Sequence, residues 1–444
     1  MFLLNVHGSE ADQASVGFSH MGYLDPDDLS QTCSVSRIQN GECSSNTFGF
    51  TGAEAVNGQY DPEHVATGAS EGLNTTIDTF GVSGRYTMDL SDDITFTSVT
   101  AYEELDKFLQ DDGDGTEVVW FDEQYAVDAE QYTQELRLNG SGLDSNWVTG
   151  LYLYKDDRGL ITQAPTTADV GVFGGYFHEE YVSLKSESWA LFGQYEYDLT
   201  PQLTGIFGAR YTEEERDFSQ RSPVSFYTPR VEGTGDLSES ALTGRIGLDW
   251  RPREGTLVYA NISTGFKSGG FSGSYNASEA ALAPVTSEDA INYEVGLKTA
   301  WADGRFRLNA SAYRYDIEDY QAQVFLTVET GSVITNAGDV TGVGAELEFT
   351  ARVTDNFELI AGLGLLDTEF SSSQVFNVAG DTYTLDGNAK VSWHSMTGEY
   401  VVEAFVRNLA DKEYYTYQNT LGSDWGYGVW GMPRTYGAKF SWNM

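Results

Sequence analysis

The sequence has few prolines, few cations and no long hydrophobic run, and each shortage excludes a class of protein. Its mean hydropathy is −0.35, and no apolar stretch approaches the length of a transmembrane helix. The chain is therefore either soluble or crosses a membrane with β-strands. Only 9 prolines occur in 444 residues, so few positions would interrupt a ladder of backbone hydrogen bonds.

Basic residues are scarce, with 25 Lys and Arg against 67 Asp and Glu, and the formal net charge is −42. Nucleic-acid binding is excluded, because neutralising phosphates requires clustered Lys and Arg. The acids are concentrated in stretches such as residues 103–130, where Lys107 is the sole cation. Two interpretations stay open: these stretches hold divalent cations or attract cationic ligands, or they only keep the surface solvated.

Cysteine and histidine are too few to indicate metal or nucleophile chemistry. Cys33 and Cys43 are the only cysteines, and two cysteines without a neighbouring Cys or His pair make a poor zinc site. In an oxidising compartment we expect them to form a disulfide, which would stabilise their short loop by about 3 kcal/mol. The 5 histidines form no metal-binding or nucleophile motif. No catalytic residue, metal or cofactor is therefore predicted, and the chain is not expected to be an enzyme.

Alternation of apolar and polar residues is what the sequence has in abundance. Residues 241–250 place Leu242, Ile246 and Leu248 on one face of a strand. The opposite face carries Arg245 and Asp249. This period of two is typical of β-strands with one apolar face. A soluble β-sandwich shows the same alternation with its apolar face inward, so alternation alone leaves both architectures open.

The lengths of the connections distinguish the two architectures. Short connections, such as residues 252–254 (Pro-Arg-Glu) and 302–304 (Ala-Asp-Gly), alternate with long ones. Outer-membrane barrels have this arrangement, with short periplasmic turns and long external loops. The sequence therefore predicts an all-β, antiparallel transmembrane β-barrel of about 16 strands, a single domain over residues 1–444. The predicted strands are residues 2–9, 76–88, 93–104, 131–139, 146–156, 187–198, 202–216, 239–251, 255–265, 287–300, 306–320, 333–352, 356–370, 383–394, 399–410 and 433–443.

Aromatic residues are plentiful, with 27 Tyr, 24 Phe and 9 Trp. Many lie near predicted strand ends, as Trp250, Trp301 and Trp393 do, where they would form girdles at the bilayer interfaces. Aromatic residues in the long loops are candidate ligand contacts, although each of them also suits a girdle or a loop core. These candidates are Trp120, Tyr125, Phe271, Tyr275, Trp425, Tyr427 and Trp430.

Several longer motifs resemble TonB-dependent outer-membrane receptors. Residues 408–415 (Asn-Leu-Ala-Asp-Lys-Glu-Tyr-Tyr) and 431–437 (Gly-Met-Pro-Arg-Thr-Tyr-Gly) resemble the C-terminal end of these receptors. Residues 265–271 (Gly-Phe-Lys-Ser-Gly-Gly-Phe) and 336–338 (Asn-Ala-Gly) resemble internal motifs of the same family. Further segments that resemble its barrel strands are residues 98–102, 134–138, 293–298 and 342–346. The resemblance runs in family order over nearly the whole chain.

The resemblance implies a multi-pass β-barrel in the bacterial outer membrane that takes up a scarce nutrient, such as a ferric siderophore. The implied partners are outer-membrane lipid, an extracellular small-molecule ligand such as an iron chelate, and the barrel assembly machinery. The residues themselves leave two alternatives open. One is a reduced barrel acting as a passive, porin-like channel, and the other is a surface-binding protein without transport.

The sequence departs from the family's pattern at both ends. No signal peptide, TonB box or plug domain is recognisable, so coupling to TonB is expected only if such an N-terminal region is supplied. The family's assembly signal ends in an aromatic residue, whereas the last residue here is Met444. Tyr436, Phe440 and Trp442 keep the aromatic spacing of that signal and are the residues expected to carry it.

Overall fold

The computed structural model describes residues 1–13, 19–25, 28–32, 74–112, 122–166, 175–225, 231–273, 282–327, 331–372, 382–395, 399–408, 415–421, 425–430 and 434–442. Within these ranges no helix is long and apolar enough to cross a membrane. The strands are β1 (Phe2–Gln13), β2 (Ser19–Asp25), β3 (Asp28–Thr32), β4 (Thr75–Ser91), β5 (Ile94–Asp112), β6 (Asp122–Ser141), β7 (Ser145–Thr166), β8 (Gly175–Thr200), β9 (Leu203–Ser225), β10 (Val231–Arg253), β11 (Thr256–Lys267), β12 (Glu288–Trp301), β13 (Phe306–Thr327), β14 (Gly331–Thr354), β15 (Phe357–Ser372), β16 (Thr382–His394), β17 (Tyr400–Arg407), β18 (Tyr415–Leu421), β19 (Trp425–Trp430) and β20 (Thr435–Trp442).

Sixteen of these strands form one antiparallel sheet in the order β1, β4 to β17, β20. Each strand of this sheet overlaps one predicted strand, so the predicted number and order of strands are confirmed. Antiparallel pairing of successive strands places all the short turns at one end of the sheet and all the long connections at the other. In the part of the chain that the structure describes, β1 pairs with β4 and β20 pairs with β17.

Four strands of the structure have no counterpart in the sequence prediction. β18, β19, β2 and β3 form a second, smaller sheet from segments that were predicted to be long connections. Trp425 of β19 pairs with Tyr23 of β2, although the two residues lie about four hundred positions apart in the chain. β18 and β19, and likewise β2 and β3, pair as local hairpins, whereas the pairing of β19 with β2 joins distant loops, which local sequence does not encode.

The strands also extend beyond their predicted limits toward the long connections. β8 begins at Gly175 rather than at residue 187. In this extension Val182 and Leu184 pack against a buried cluster inside the sheet, while Lys185 on the other face is exposed. The apolar side chains of β8 therefore face outward near the short turn and inward near the long connection. A reversal of this kind breaks the simple alternation from which the strand was predicted.

The outward face of the large sheet distinguishes a barrel from a sandwich. On β10, Leu242 is 75% exposed, Ile246 63% and Trp250 51%, and on β9 Phe207 is 60% exposed. A sandwich would bury these side chains between its two sheets. From Leu242 to Trp250 the apolar band covers nine residues, the length of strand that spans the hydrocarbon core of a bilayer. The outward face therefore lies against lipid.

Aromatic residues and then ion pairs mark the upper edge of this apolar band. The rings of Trp189 and Tyr211 lie 5.6 Å apart on the outward face of β8 and β9. Glu187 lies on the same face as Trp189, two residues nearer the long connection. It accepts a hydrogen bond from Lys155, with 2.5 Å between Oε1 and Nζ. Aromatic rings followed by charges are the sequence of side chains expected where hydrocarbon gives way to lipid headgroups.

The assignment of the two faces makes a prediction about stability. Changing Ile246 to Arg should lower the free energy of unfolding by about 2–4 kcal/mol, because this outward position lies at the centre of the apolar band. Changing Asn261 to Arg should cost less than about 1 kcal/mol, since Asn261 lies on the inward face and pairs with Glu294. Urea unfolding of the protein in lipid vesicles measures both effects. Equal losses at the two positions would contradict the assignment.

Candidate luminal site

The connection between β11 and β12 folds into the lumen, and we call its described parts, residues 268–273 and 282–287, the luminal strap. The two parts are joined by two backbone hydrogen bonds between Gly270 and Val285, of 3.2 and 2.8 Å. The strap contacts Leu237 and Glu239 of β10. These residues alternate in step with Arg245, on the face opposite lipid-facing Leu242. The strap is therefore inside the barrel wall.

Two apolar side chains anchor the luminal strap. Phe271 is 9% exposed and stacks on Phe218 of β9, with 4.7 Å between ring centroids. A Cβ atom at Gly235 would lie 2.4 Å from the Phe271 ring, and one at Gly233 would lie 2.4 Å from Leu282. The two glycines of β10 are therefore sockets into which these side chains fit. Burial of each side chain contributes about 1.5–3 kcal/mol.

A single carboxylate holds the two parts of the strap together. Glu239 accepts hydrogen bonds from the Ser268 hydroxyl (2.9 Å) and from the backbone N–H groups of Gly269 (2.6 Å) and Ser287 (3.2 Å). Arg216 of β9 donates from Nη1 to the Gly269 carbonyl at 2.6 Å. Hydrogen bonds to ionised groups are about twice as strong as neutral ones, so these contacts fix the backbone of the strap against the wall.

Two amide side chains secure the other edge of the strap. Asn336 of β14 accepts hydrogen bonds from the Thr286 N–H (3.0 Å) and hydroxyl (3.1 Å). Its Nδ2 donates to the carbonyls of Thr286 (3.0 Å) and Asp319 (2.7 Å). Gln321 of β13 donates to the carbonyls of Ser268 and Thr286, both at 3.0 Å. Asn336 thus uses both donors and its acceptor oxygen to join the strap to two strands.

A buried polar patch lies beside the anchor, on the inward faces of β8 and β9. Gln220 pairs with socket residue Gly233 and donates hydrogen bonds to Glu180 and to the Ser222 hydroxyl, the latter at 3.2 Å. His178 Nε2 lies 3.7 Å from Glu180 Oε2, and all four side chains are buried. The patch therefore joins β8 to β9 beside the strap by contacts that are closed to solvent.

The structure brings only some of the predicted ligand contacts into the lumen. Tyr125 lies in β6, half-buried, on the inward face, and Phe271 is the strap's anchor. Trp425, Tyr427 and Trp430 lie in β19 of the smaller sheet. Contact of these residues with a ligand stays a prediction. Trp120 and Tyr275, and the cysteines Cys33 and Cys43, lie outside the described residues.

The residues predicted to form the assembly signal lie on the outward face of β20. Tyr436 is 82% exposed, Phe440 66% and Trp442 59%, and the Trp442 ring stacks on that of Tyr400 in β17. These aromatic side chains lie on the same face as Val402 and are accessible from the membrane. Their role in assembly stays a prediction.

Sequence reasoning missed the residues that hold the strap. Residues 265–271 and 336–338 were identified as family motifs, but nothing in the sequence indicated that Asn336 bonds to Thr286, in the second part of the strap. Glu239 carries no local signal at all, because it is one acid among 67 Asp and Glu. Its importance follows only from the register of β10, which directs its carboxylate toward the strap.

Comparison with known proteins identifies the family. The family described as TonB dependent receptor-like, beta-barrel matches residues 15–443. The chain belongs to the TonB-dependent receptor family. It is accordingly a protein of the bacterial outer membrane, and its outward apolar band is the surface that contacts outer-membrane lipid.

Relatives and solved structures agree with this assignment. The chain is 24% identical over 185 residues to the probable TonB-dependent siderophore receptor PiuA of Acinetobacter baumannii, a match covering 40% of this chain and 23% of that protein. It is 27% identical over 176 residues to the ferric-pyoverdine M114 receptor PbuA of a Pseudomonas species, covering 38% of this chain and 20% of that protein. These matches span about a quarter or less of the curated relatives' length.

The fold itself resembles solved receptors. The ferric yersiniabactin uptake receptor FyuA of Yersinia pestis superposes with a TM-score of 0.65 at 17% identity, covering 85% of this chain and 63% of that one. The ferric-catecholate import receptor Fiu of E. coli superposes with a TM-score of 0.60 at 14% identity, covering 99% of this chain and 71% of that one. At these identities the likeness concerns the fold.

The sockets on β10 make a prediction about the strap. Changing Gly235 to Ala should displace Phe271, because the new Cβ would lie 2.4 Å from its ring. The displacement can be measured as thiol labelling of Ser272→Cys, since Ser272 is 3% exposed, and labelling should accelerate at least about tenfold. Gly265→Ala is the matched control, because a Cβ there meets no described atom within 4 Å. Equal labelling rates in the two variants would show that the Phe271 ring does not need the space at Gly235.

The amide contacts of Asn336 make a second prediction. Changing Asn336 to Ala removes its two donors and the oxygen that accepts from the Thr286 N–H. Amide hydrogen exchange at Thr286 should accelerate at least about tenfold, because this N–H loses its acceptor and the strap loses its bonds to Asn336. Asn261→Ala on β11 serves as the control, and Asn261 makes no side-chain hydrogen bond with a described residue. Unchanged exchange at Thr286 would show that Asn336 does not hold the strap.

Proposed function

We propose that this chain is the membrane barrel of an outer-membrane receptor that takes up a scarce nutrient such as a ferric siderophore. The observation that carries the proposal is the family match over residues 15–443. PiuA and PbuA, which the chain resembles over part of its length, are named for siderophore and ferric-pyoverdine recognition. The luminal strap, held inside the wall by Glu239 and Asn336, is the described part of the lumen best placed to contact such a ligand.

We further propose that residues 1–444 form one barrel domain and that transport needs a plug and a TonB-coupling segment. A barrel wall without either has no means of receiving energy from the inner membrane. The proposed partners are therefore TonB, acting through that segment, and an extracellular small molecule such as an iron chelate. The barrel assembly machinery is proposed to recognise Tyr436, Phe440 and Trp442, which are exposed on β20.

Binding of a ferric siderophore tests the proposal directly. The chain, refolded in lipid vesicles, is titrated with ferric hydroxamate, ferric catecholate and ferric citrate complexes, and binding is followed by quenching of Trp fluorescence. We expect saturable binding of at least one complex. Trp425→Ala in β19 should weaken that binding at least about tenfold, because Trp is enriched among the few interface residues whose truncation costs about 2 kcal/mol or more. Trp189→Ala, on the lipid-facing side, should leave it unchanged.

Conductance across a planar bilayer separates the proposal from its alternatives. A large, steady conductance without saturable binding of any complex would favour a passive, porin-like channel. Saturable binding without uptake by cells that express the complete gene would favour a surface-binding protein. Saturable binding together with TonB-dependent uptake of labelled iron is the result expected of a receptor.

A further inference from the structure

A second polar site lies at the opposite end of the lumen from the strap. A groove of about 680 Å³ opens where the short turns join β8 to β9 and β10 to β11. Its walls include Arg251, Arg253, Lys298 and Arg307, together with the neutral polar side chains of Gln202 and Asn309. Four of the chain's 25 cations therefore line one groove in a protein of net charge −42.

The groove opens toward the lumen. Lys298 lies over the ring of Tyr259, which donates a hydrogen bond to Glu294, and these side chains share the inward face of β11 and β12. Arg307 follows Phe306, whose ring stacks on Trp301 on the lipid-facing side, so Arg307 is directed inward. A ligand in this groove would therefore be inside the barrel, at the end where the short turns lie.

Three of the four cations have no carboxylate partner among the described residues. Arg253 donates from Nε at 3.1 Å to the hydroxyl of Thr256, which alternates in step with lipid-facing Ile262, so Arg253 lies at the outer rim of the groove. Lys298 contacts the Tyr259 ring, with 5.5 Å from Nζ to the centroid. The Arg307 side chain makes no hydrogen bond or ion pair with the described part of the chain. By contrast, Arg251 is paired with Asp249 at 3.1 Å. Lys298 and Arg307, which share the inward face, therefore both line the groove without a described carboxylate partner.

A second basic groove provides a contrast. This groove, of about 700 Å³, is lined by Lys390, Arg407 and Lys439, but Glu403 lies among them. Glu403 is 2.5 Å from Lys390 Nζ and 3.8 Å from Lys439 Nζ, and the cations thereby neutralise it. The groove at the short turns has Glu254 as its only described lining carboxylate, and no ion pair joins Glu254 to a described cation.

We propose that the groove lined by Lys298 and Arg307, with Arg253 at its rim, binds a small multivalent oxyanion, a molecule bearing several carboxylate or phosphate groups. Guanidinium groups donate in a planar fork that matches two oxygens of such a group, and the ammonium of Lys298 adds a point charge. Gln202 and Asn309 supply neutral polar groups at the border of the groove. The acidic remainder of the chain repels the same anion, so binding is confined to this end of the lumen.

The test is calorimetric titration of the whole chain, in detergent at low ionic strength, with citrate and with inorganic phosphate as the two probes. Arg307→Gln and Lys298→Gln should each weaken binding of the preferred probe about tenfold. Glu254→Gln should tighten it about threefold, because the variant removes the one repelling carboxylate. A gain in affinity of this kind cannot arise from misfolding. Lys155→Gln is the matched control, since Lys155 is on the lipid-facing side and is paired with Glu187.

Each outcome decides the proposal. Weaker binding in Arg307→Gln and Lys298→Gln, tighter binding in Glu254→Gln and unchanged binding in Lys155→Gln would establish the site. Tighter binding of citrate than of phosphate would identify a carboxylate ligand, and the reverse order a phosphate ligand. The proposal is overturned if neither probe binds the wild-type chain, or if the groove variants bind as the wild type does. Binding of an oligoglutamate peptide without binding of either probe would also overturn it, in favour of an acidic protein partner.

Discussion

The structure depends on one constraint: in lipid, every backbone N–H and C=O group must find its hydrogen bond within the protein. An antiparallel sheet of successive strands meets this need with the shortest connections, and β4 to β17 are each paired on both edges. Among the described residues β1 and β20 are each paired on one edge. The same constraint explains the scarcity of proline, since each proline removes a donor from the ladder. It also fixes the alternation of side chains, because a strand of the wall has lipid on one face and the lumen on the other.

The two faces then exchange character above the membrane. Between Leu242 and Trp250 the outward face of β10 is apolar, whereas farther up the apolar side chains turn inward. Leu237 on β10, with Phe218 on β9, forms the wall against which the luminal strap packs. Above the bilayer the barrel therefore acquires a core of a soluble kind, and Phe271 and Leu282 of the strap complete it. Because Gly233 and Gly235 lack side chains, there is room in that core for Leu282 and Phe271 of the strap.

Charge is distributed unevenly along the barrel, so the two ends of the lumen present different polar groups. The strands near the long connections carry acids on both faces, among them Glu187 outside and Glu239 inside. At the other end, near the short turns, Lys298 and Arg307 line a groove and have no carboxylate partner among the described residues. A molecule passing through the lumen would thus meet hydrogen-bond acceptors first and cationic donors later. The strap, held by Glu239 and Asn336, lies on the acidic side.

The sequence by itself determined the class of fold, the number of strands in the wall and the family, because alternation and turn chemistry are local properties that lipid enforces at every strand. The motifs at residues 265–271 and 336–338 indicated the family, and only the structure showed that both contribute to the strap's attachment. Only the tertiary structure decided that Asn336 bonds to Thr286, that Glu239 joins the two parts of the strap, and that β19 pairs with β2. Those contacts join residues far apart in the chain, and they depend on strand register and on the inward fold of a loop, which short-range patterns do not encode.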